Sequence, residues 1–262
     1  MTGFIARVVV SFVVAGVWIG TATVIAERYG NKVGGLIGNL PSTVVVSFIF
    51  ITLTQSLAYT VEAARAVPVG MAIDTVFILL FVLASRAGLA VAVAVSLAGW
   101  LSLAFAAEAI GLPAWWLGAA LCVGSSVAAF LVMEKGLRLK TLGGQRVRYS
   151  AAQMVGRMVF AGAVVATSVI LAHTAGPYWT GLFSTFPAVM LSTLVILYLA
   201  RGRAFSAGTG KILALSAPNI LVFAFVAASL YPRVGLVAGT VAGYLAAAVF
   251  ILMLRSVVSR VA

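Results

Sequence analysis

Charge, cysteine and histidine are scarce in this sequence. Of its 262 residues 8% are charged, five are acidic, one is a cysteine and one a histidine. A single cysteine excludes a disulfide within the chain, and Cys122, inside an apolar run, reads as a small buried apolar residue. His173 has no Cys, His or acidic residue at ligand spacing, so no metal site is expected. There is no Ser/His/Asp arrangement, no paired carboxylates and no phosphate-cradling Gly-rich loop with its lysine. The chain therefore reads as a non-enzyme, with no catalytic residue and no cofactor.

What is present in quantity is apolar. Hydrophobic residues make up 63% of the chain, a composition that belongs to polytopic membrane proteins rather than soluble domains. The first apolar run begins near Phe4 and exceeds twenty residues; it lacks a convincing cleavage site and reads as a retained span rather than a signal peptide. Nine runs are long enough to cross a bilayer, near 4–26, 36–58, 67–85, 88–108, 113–133, 151–173, 180–200, 209–231 and 234–255. The expected fold is all-α, with about nine transmembrane helices and tight hairpins at Arg86 and at Pro232-Arg233.

The formal charge of +12 is carried in short loops, which argues for a lipid bilayer as partner and against nucleic acid. With nine spans, Arg7, Arg65 and Arg233 fall on one side and the other fourteen of the seventeen Lys and Arg on the opposite side. By the positive-inside rule the N-terminus is outside, and the C-terminus and the 134–150 loop are cytoplasmic, in a prokaryotic inner membrane. Trp115, Trp116, Tyr178, Trp179 and Tyr231 all fall at the expected outer interface. Trp18 and Trp100 lie mid-span and read as packing residues.

The chain also repeats itself. A shift of 146 lays Gly30, Gly35, Leu36 and Pro41 on Gly176, Gly181, Leu182 and Pro187. One residue further along, Arg86 falls on Arg233 and Gly88 on Gly235. Residues 1–110 form a first four-span unit, 111–150 a linker span with its basic loop, and 151–262 a second four-span unit. An odd linker span makes the second unit enter from the opposite side, so the two are inverted about an axis in the membrane plane.

The repeat unit, through Gly176-Pro177-Tyr178-Trp179-Thr180-Gly181-Leu182-Phe183-Ser184-Thr185-Phe186-Pro187-Ala188 and the later Arg201-Gly202 and Pro218, resembles the GlpM family of small four-span inner-membrane proteins. The stretch from Gly34 to Pro41 is a looser match. The resemblance implies a four-span architecture and carries no established chemistry.

The candidate path residues gather at the repeated motif. Asn39, Pro41 and Thr43 in the first unit, and Ser184, Thr185 and Pro187 in the second, mark broken helix starts whose free N–H groups and polar side chains would face a cavity. The plainer alternative is a helix start with Pro in its first turn, and hydroxyls that bond back to their own helix. Asp74, inside the third span, is costly there and must pair, face the interior or hold a proton. Asn219 falls at nearly the matching place in the second unit. Together they would form an off-centre cation or proton site; the alternative places Asp74 near the outer interface as a partner of Arg65. Gly235, Gly239 and Gly243, with Gly88 matching the first, are expected to let helices approach closely, either between the fourth and ninth spans or across a homodimer seam.

The sequence thus points to passage of a small solute or ion at the interface of the two units, with Asp74 available for proton or cation coupling. The competing class is a non-transporting scaffold or accessory subunit that uses the glycine seam and the basic loop to hold partners. A polar cavity at the interface favours the first; a dry interface favours the second.

Overall fold

The structure is a computed structural model that describes residues 2–38, 40–111, 115–140 and 149–261, with side chains described over 3–25, 40–111, 115–140 and 149–254. Eleven α-helices follow one another in these residues: α1 (Thr2–Gly38), α2 (Ser42–Thr54), α3 (Leu57–Ala64), α4 (Val67–Ala84), α5 (Leu89–Ile110), α6 (Trp115–Leu131), α7 (Ala151–Thr174), α8 (Gly176–Ser184), α9 (Ala188–Arg201), α10 (Arg203–Ser216) and α11 (Pro218–Val261). The protein is an all-α, polytopic membrane protein. Seven helical stretches among the described residues are long and apolar enough to cross a bilayer. Eight of the nine expected spans lie in them, because the last stretch, Arg203–Leu254, holds two.

The exception is the span expected at 36–58. It is not one helix. The 13 residues of α2 reach about 20 Å, short of the ~30 Å hydrocarbon core. Gln55-Ser56 then breaks the chain: Ser56 turns to extended backbone (φ −165°, ψ 166°) and its hydroxyl caps α3 by accepting from the Tyr59 amide. From Leu57 the chain runs through α3 and on into α4, bent at Arg65-Ala66.

Interruption recurs where the sequence places Pro and Gly. Thr185-Phe186-Pro187 divides α8 from α9, Gly202 divides α9 from α10, and Ala217 divides α10 from α11. Pro41 and Pro187 adopt nearly the same backbone conformation, φ −74°, ψ 49° and φ −76°, ψ 43°. Gly88 (φ 117°, ψ 165°) and Gly235 (φ 77°, ψ 177°) both take left-handed φ with extended ψ, where a side chain is strained. Each turns a hairpin. At the first, α5 folds back on α4, with Gly99 against Leu80. At the second, α11 folds back on itself, with Gly239 against Tyr231 and Gly243 against Phe223.

This corrects the expectation for the glycines. Gly239 and Gly243 are packing residues, but their partner is the preceding half of α11 rather than the fourth span. A Cβ at Gly88 or Gly235 would meet nothing within 4 Å; they are turn residues. Trp18 is also not a packing residue: it is 43% exposed on the apolar outer face of α1.

Packing is exchanged between the two halves of the chain: α3 lies on α11, and α10 on α4. One core gathers Phe77, Phe81, Trp100, Leu182 and Leu194; a second gathers Phe48, Met71, Phe223 and Tyr231. α1 and α7 pack along each other, and α6 lies against α4 and α10. Hydroxyls join these surfaces: Thr75 meets Ser125 at 2.5 Å, and Ser126 donates to the Ala214 carbonyl at 2.5 Å. At one end of the bundle Arg7 donates to the Leu53 carbonyl and Gln55 to the Ala172 carbonyl, each at 2.8 Å. At the other, Lys211 is paired with Glu134 and donates to the Leu139 carbonyl at 2.9 Å.

Candidate functional site

The breaks ahead of α2, α9 and α11 meet. Leu40-Pro41, Thr185-Phe186-Pro187 and Ser216-Ala217 all line one cavity of ≈ 250 Å³. That is slightly below the ~300–1,000 Å³ of sites for drug-sized ligands, so the space suits a small solute.

The breaks ahead of α2 and α9 have the same local chemistry. The Ser42 amide donates to Leu40 and the Ala188 amide to Phe186, both at 2.7 Å. The next bonds run from Val45 to Pro41 and from Leu191 to Pro187, at 2.9 and 2.7 Å. The amides between, at Thr43 and Val44 and at Val189 and Met190, precede the first available acceptor of their own helix. Thr43, Val189 and Met190 line the cavity, so both helices present their positive ends to it. The start of α11 lines the same space through Asn219 and Ile220 but is not open in this way, because Ala217 keeps α-helical dihedrals (φ −52°, ψ −36°) and its carbonyl accepts from the Ile220 amide at 3.2 Å.

Among the described residues of the wall, Arg157 is the one charged side chain. It lies on α7 and is 7% exposed. Its Nη1 donates to the Thr193 hydroxyl at 2.8 Å, and its guanidinium stands over the Tyr149 ring, 5.0 Å from the centroid. Thr193 and Tyr149 line the cavity too, which places the guanidinium head at the wall. Its Nε has no hydrogen-bond partner, and no carboxylate among the described residues pairs with it. Tyr149 just precedes α7, so the cavity extends toward the bundle end that holds Arg201 and Arg203.

Five of the eight expected path residues stand in this wall: Pro41, Thr43, Thr185, Pro187 and Asn219. Asn39 lies outside the described residues. Ser184 and Asp74 are not in the wall. Ser184 is fully buried and donates to the Gly181 carbonyl at 2.6 Å, bonding back to its own helix. Asp74 is fully buried against α5, where its Oδ1 accepts from the Trp100 indole N–H at 2.8 Å. It neither meets Asn219 in a shared site nor pairs with Arg65; the indole outcompetes both because it lies on the hairpin partner of α4.

Sequence reasoning missed Arg157, Thr193 and Tyr149. For Arg157 the signal was available: it sits inside the run 151–173, as Asp74 sits inside its own, yet the charge count assigned it to a loop. Thr193 and Tyr149 carry no such signal; only the fold brings them to Arg157. His173 lies beside Gln55 and stacks on Phe4, and no group of metal-ligating side chains is found among the described residues. The chain matches no protein-family model, no curated protein and no solved structure, so the geometry alone carries the functional reading.

Proposed function

We propose that the protein passes a small solute across the membrane through the cavity at the breaks ahead of α2, α9 and α11. One observation carries the reading: polar side chains and open helix starts line a space inside an otherwise apolar bundle. Irregular backbone at membrane depth is stable only against protein or a water-lined space, and interrupted helices around a cavity are the usual construction of a carrier's site. A scaffold needs no such space.

In this reading the chain is two inverted four-span units, 1–110 and 151–262, joined by α6. The paired dihedrals of Pro41 and Pro187, those of Gly88 and Gly235, and the exchanged packing of α3 on α11 and α10 on α4 support it. Inverted units give a route to alternating access, since exchanging their conformations turns a site open to one side into one open to the other. The excess of Lys and Arg orients the cavity's Tyr149 end toward the cytoplasm of a prokaryotic inner membrane.

Thiol accessibility tests this. In a Cys122→Ser background, single cysteines replace Thr43, Thr185, Thr193, Asn219 and Asp74, and each is probed in oriented vesicles with a membrane-impermeant reagent. The first four are expected to react from the cytoplasmic side, and Asp74→Cys to stay unreactive in its dry core. If all five are inert while Lys140→Cys reacts, there is no water-filled path and passage is ruled out.

A further inference from the structure

Asp74 has a buried Oδ2 without a hydrogen-bond partner but stands away from the cavity, and the Lys211–Glu134 pair and the apolar outer faces of α5 and α11 are each accounted for by packing or lipid. Arg157 is not. It is a buried cation in a membrane bundle, with an unpartnered Nε, and none of its described neighbours bears a negative charge. Such a charge is costly unless something compensates it. Around the same space stand the positive ends of α2 and α9 and the negative ends of α8 and α10, whose opposed partial charges leave the Arg157 guanidinium as the one full charge among the described residues of the wall. A cation would find no carboxylate among the described lining residues. Thr185 and Thr193 spend their hydroxyl protons on the Leu182 and Val189 carbonyls, so the Thr43 hydroxyl is the threonine donor left to the space.

We infer that the solute is a small oxyanion (a short carboxylate, sulfate or phosphate) held by the Arg157 guanidinium against the starts of the broken helices. This rests on the reading of the cavity as the passage site. Arg157 has five N–H donors in a planar fork, and one is used on Thr193. The remaining donors suit an oxygen pair better than a spherical ion. The cavity's size excludes large organic anions.

The test uses the full chain in phosphatidylcholine vesicles, with Cys122→Ser and Thr43→Cys. Its cavity thiol reacts with two thiosulfonates of similar size, one bearing a sulfonate and one a trimethylammonium, and each rate is divided by that of a free thiol. The expected preference is for the sulfonate by about tenfold, the lower end of electrostatic focusing in a charged cleft. Arg157→Gln should bring the ratio near one, and Arg157→Lys should retain most of it. Sodium sulfate, phosphate or acetate at constant ionic strength should slow the reaction saturably.

If neither reagent reacts, the cavity is closed to water and the passage reading falls with this one. If both react with no preference, or prefer the cation, or if Arg157→Gln leaves the ratio unchanged, the anion is overturned while passage stands. Should only added phosphatidylglycerol protect the thiol, the occupant is a lipid headgroup and a soluble anion is overturned. Should Arg157→Gln fail to fold, the preference with Arg157 in place and the Arg157→Lys ratio decide.

Discussion

Asp74 and Arg157 lie in similar stretches of sequence, each charged residue well inside an apolar run. Their neighbours give them opposite roles. Asp74 is enclosed by packing and accepts from an indole; Arg157 stands at an open space. Asp74→Asn keeps an oxygen for Trp100, so thermal unfolding in detergent should place it within about 1 kcal/mol of the wild type, with cavity labelling unchanged. Asp74→Leu leaves the indole N–H without an acceptor and should cost about 1–3 kcal/mol. Equal stability of the two variants would remove the hydrogen-bonding role. Sequence alone marked Asp74 as expensive. It did not show which neighbour compensates it, because Trp100 is 26 positions away and meets it only once the hairpin at Gly88 has formed.

At the scale of elements, what was legible follows backbone chemistry. Pro41 and Pro187 announced their breaks because a missing N–H acts the same way in any fold, whereas Gly88 and Gly235 were read as close-approach residues although a missing Cβ equally permits a turn. The break at Gln55-Ser56 carries neither residue. It is set by tertiary partners, with Gln55 bonded to the Ala172 carbonyl and Thr52 to Thr60 across the gap at 2.7 Å. The glycine seam was legible as a close approach, but small residues at every fourth position do not name the helix that approaches. Gly181 is the sharpest close approach, since a Cβ there runs into the Ala63 carbonyl where α8 crosses α3. Gly181→Val should therefore cost about 1–3 kcal/mol or more by overpacking and lower the yield of folded protein in detergent. Wild-type stability for this variant would show that the crossing is looser than described. At Gly235, substitution by Ala should cost about 1–2 kcal/mol through its left-handed φ, with no steric clash to relieve.

For the molecule as a whole, the outer surface is as informative as the core. Val237, Val241, Leu245, Val249 and Leu252 stand exposed along one stripe of α11, and Val91, Val95, Leu101 and Phe105 along α5. In a membrane these are lipid-facing, which is why half-exposed valines and leucines are compatible with a stable fold. The topology has a direct check. α6 separates Gly111 from Lys140, so cysteines at these positions should react from opposite sides, with Lys140→Cys reacting from the cytoplasm. Labelling of both from one side would mean that α6 does not cross. The general class of fold was open to inspection in composition and run length. The site was half open: its prolines and threonines were marked, and its cation was hidden among loop charges.

α6 lies between the two proposed units and is joined to both, to α4 through Thr75 and Ser125 and to α10 through Ser126 and Ala214. Two perfect inverted copies trading shapes would make the inward-facing and outward-facing forms equivalent by a two-fold rotation and equal in energy. A helix present once, holding one set of partners, ends that degeneracy. If the protein passes a solute as proposed, it has a resting orientation, and a solute that drives it to the other must supply the difference through tighter binding there.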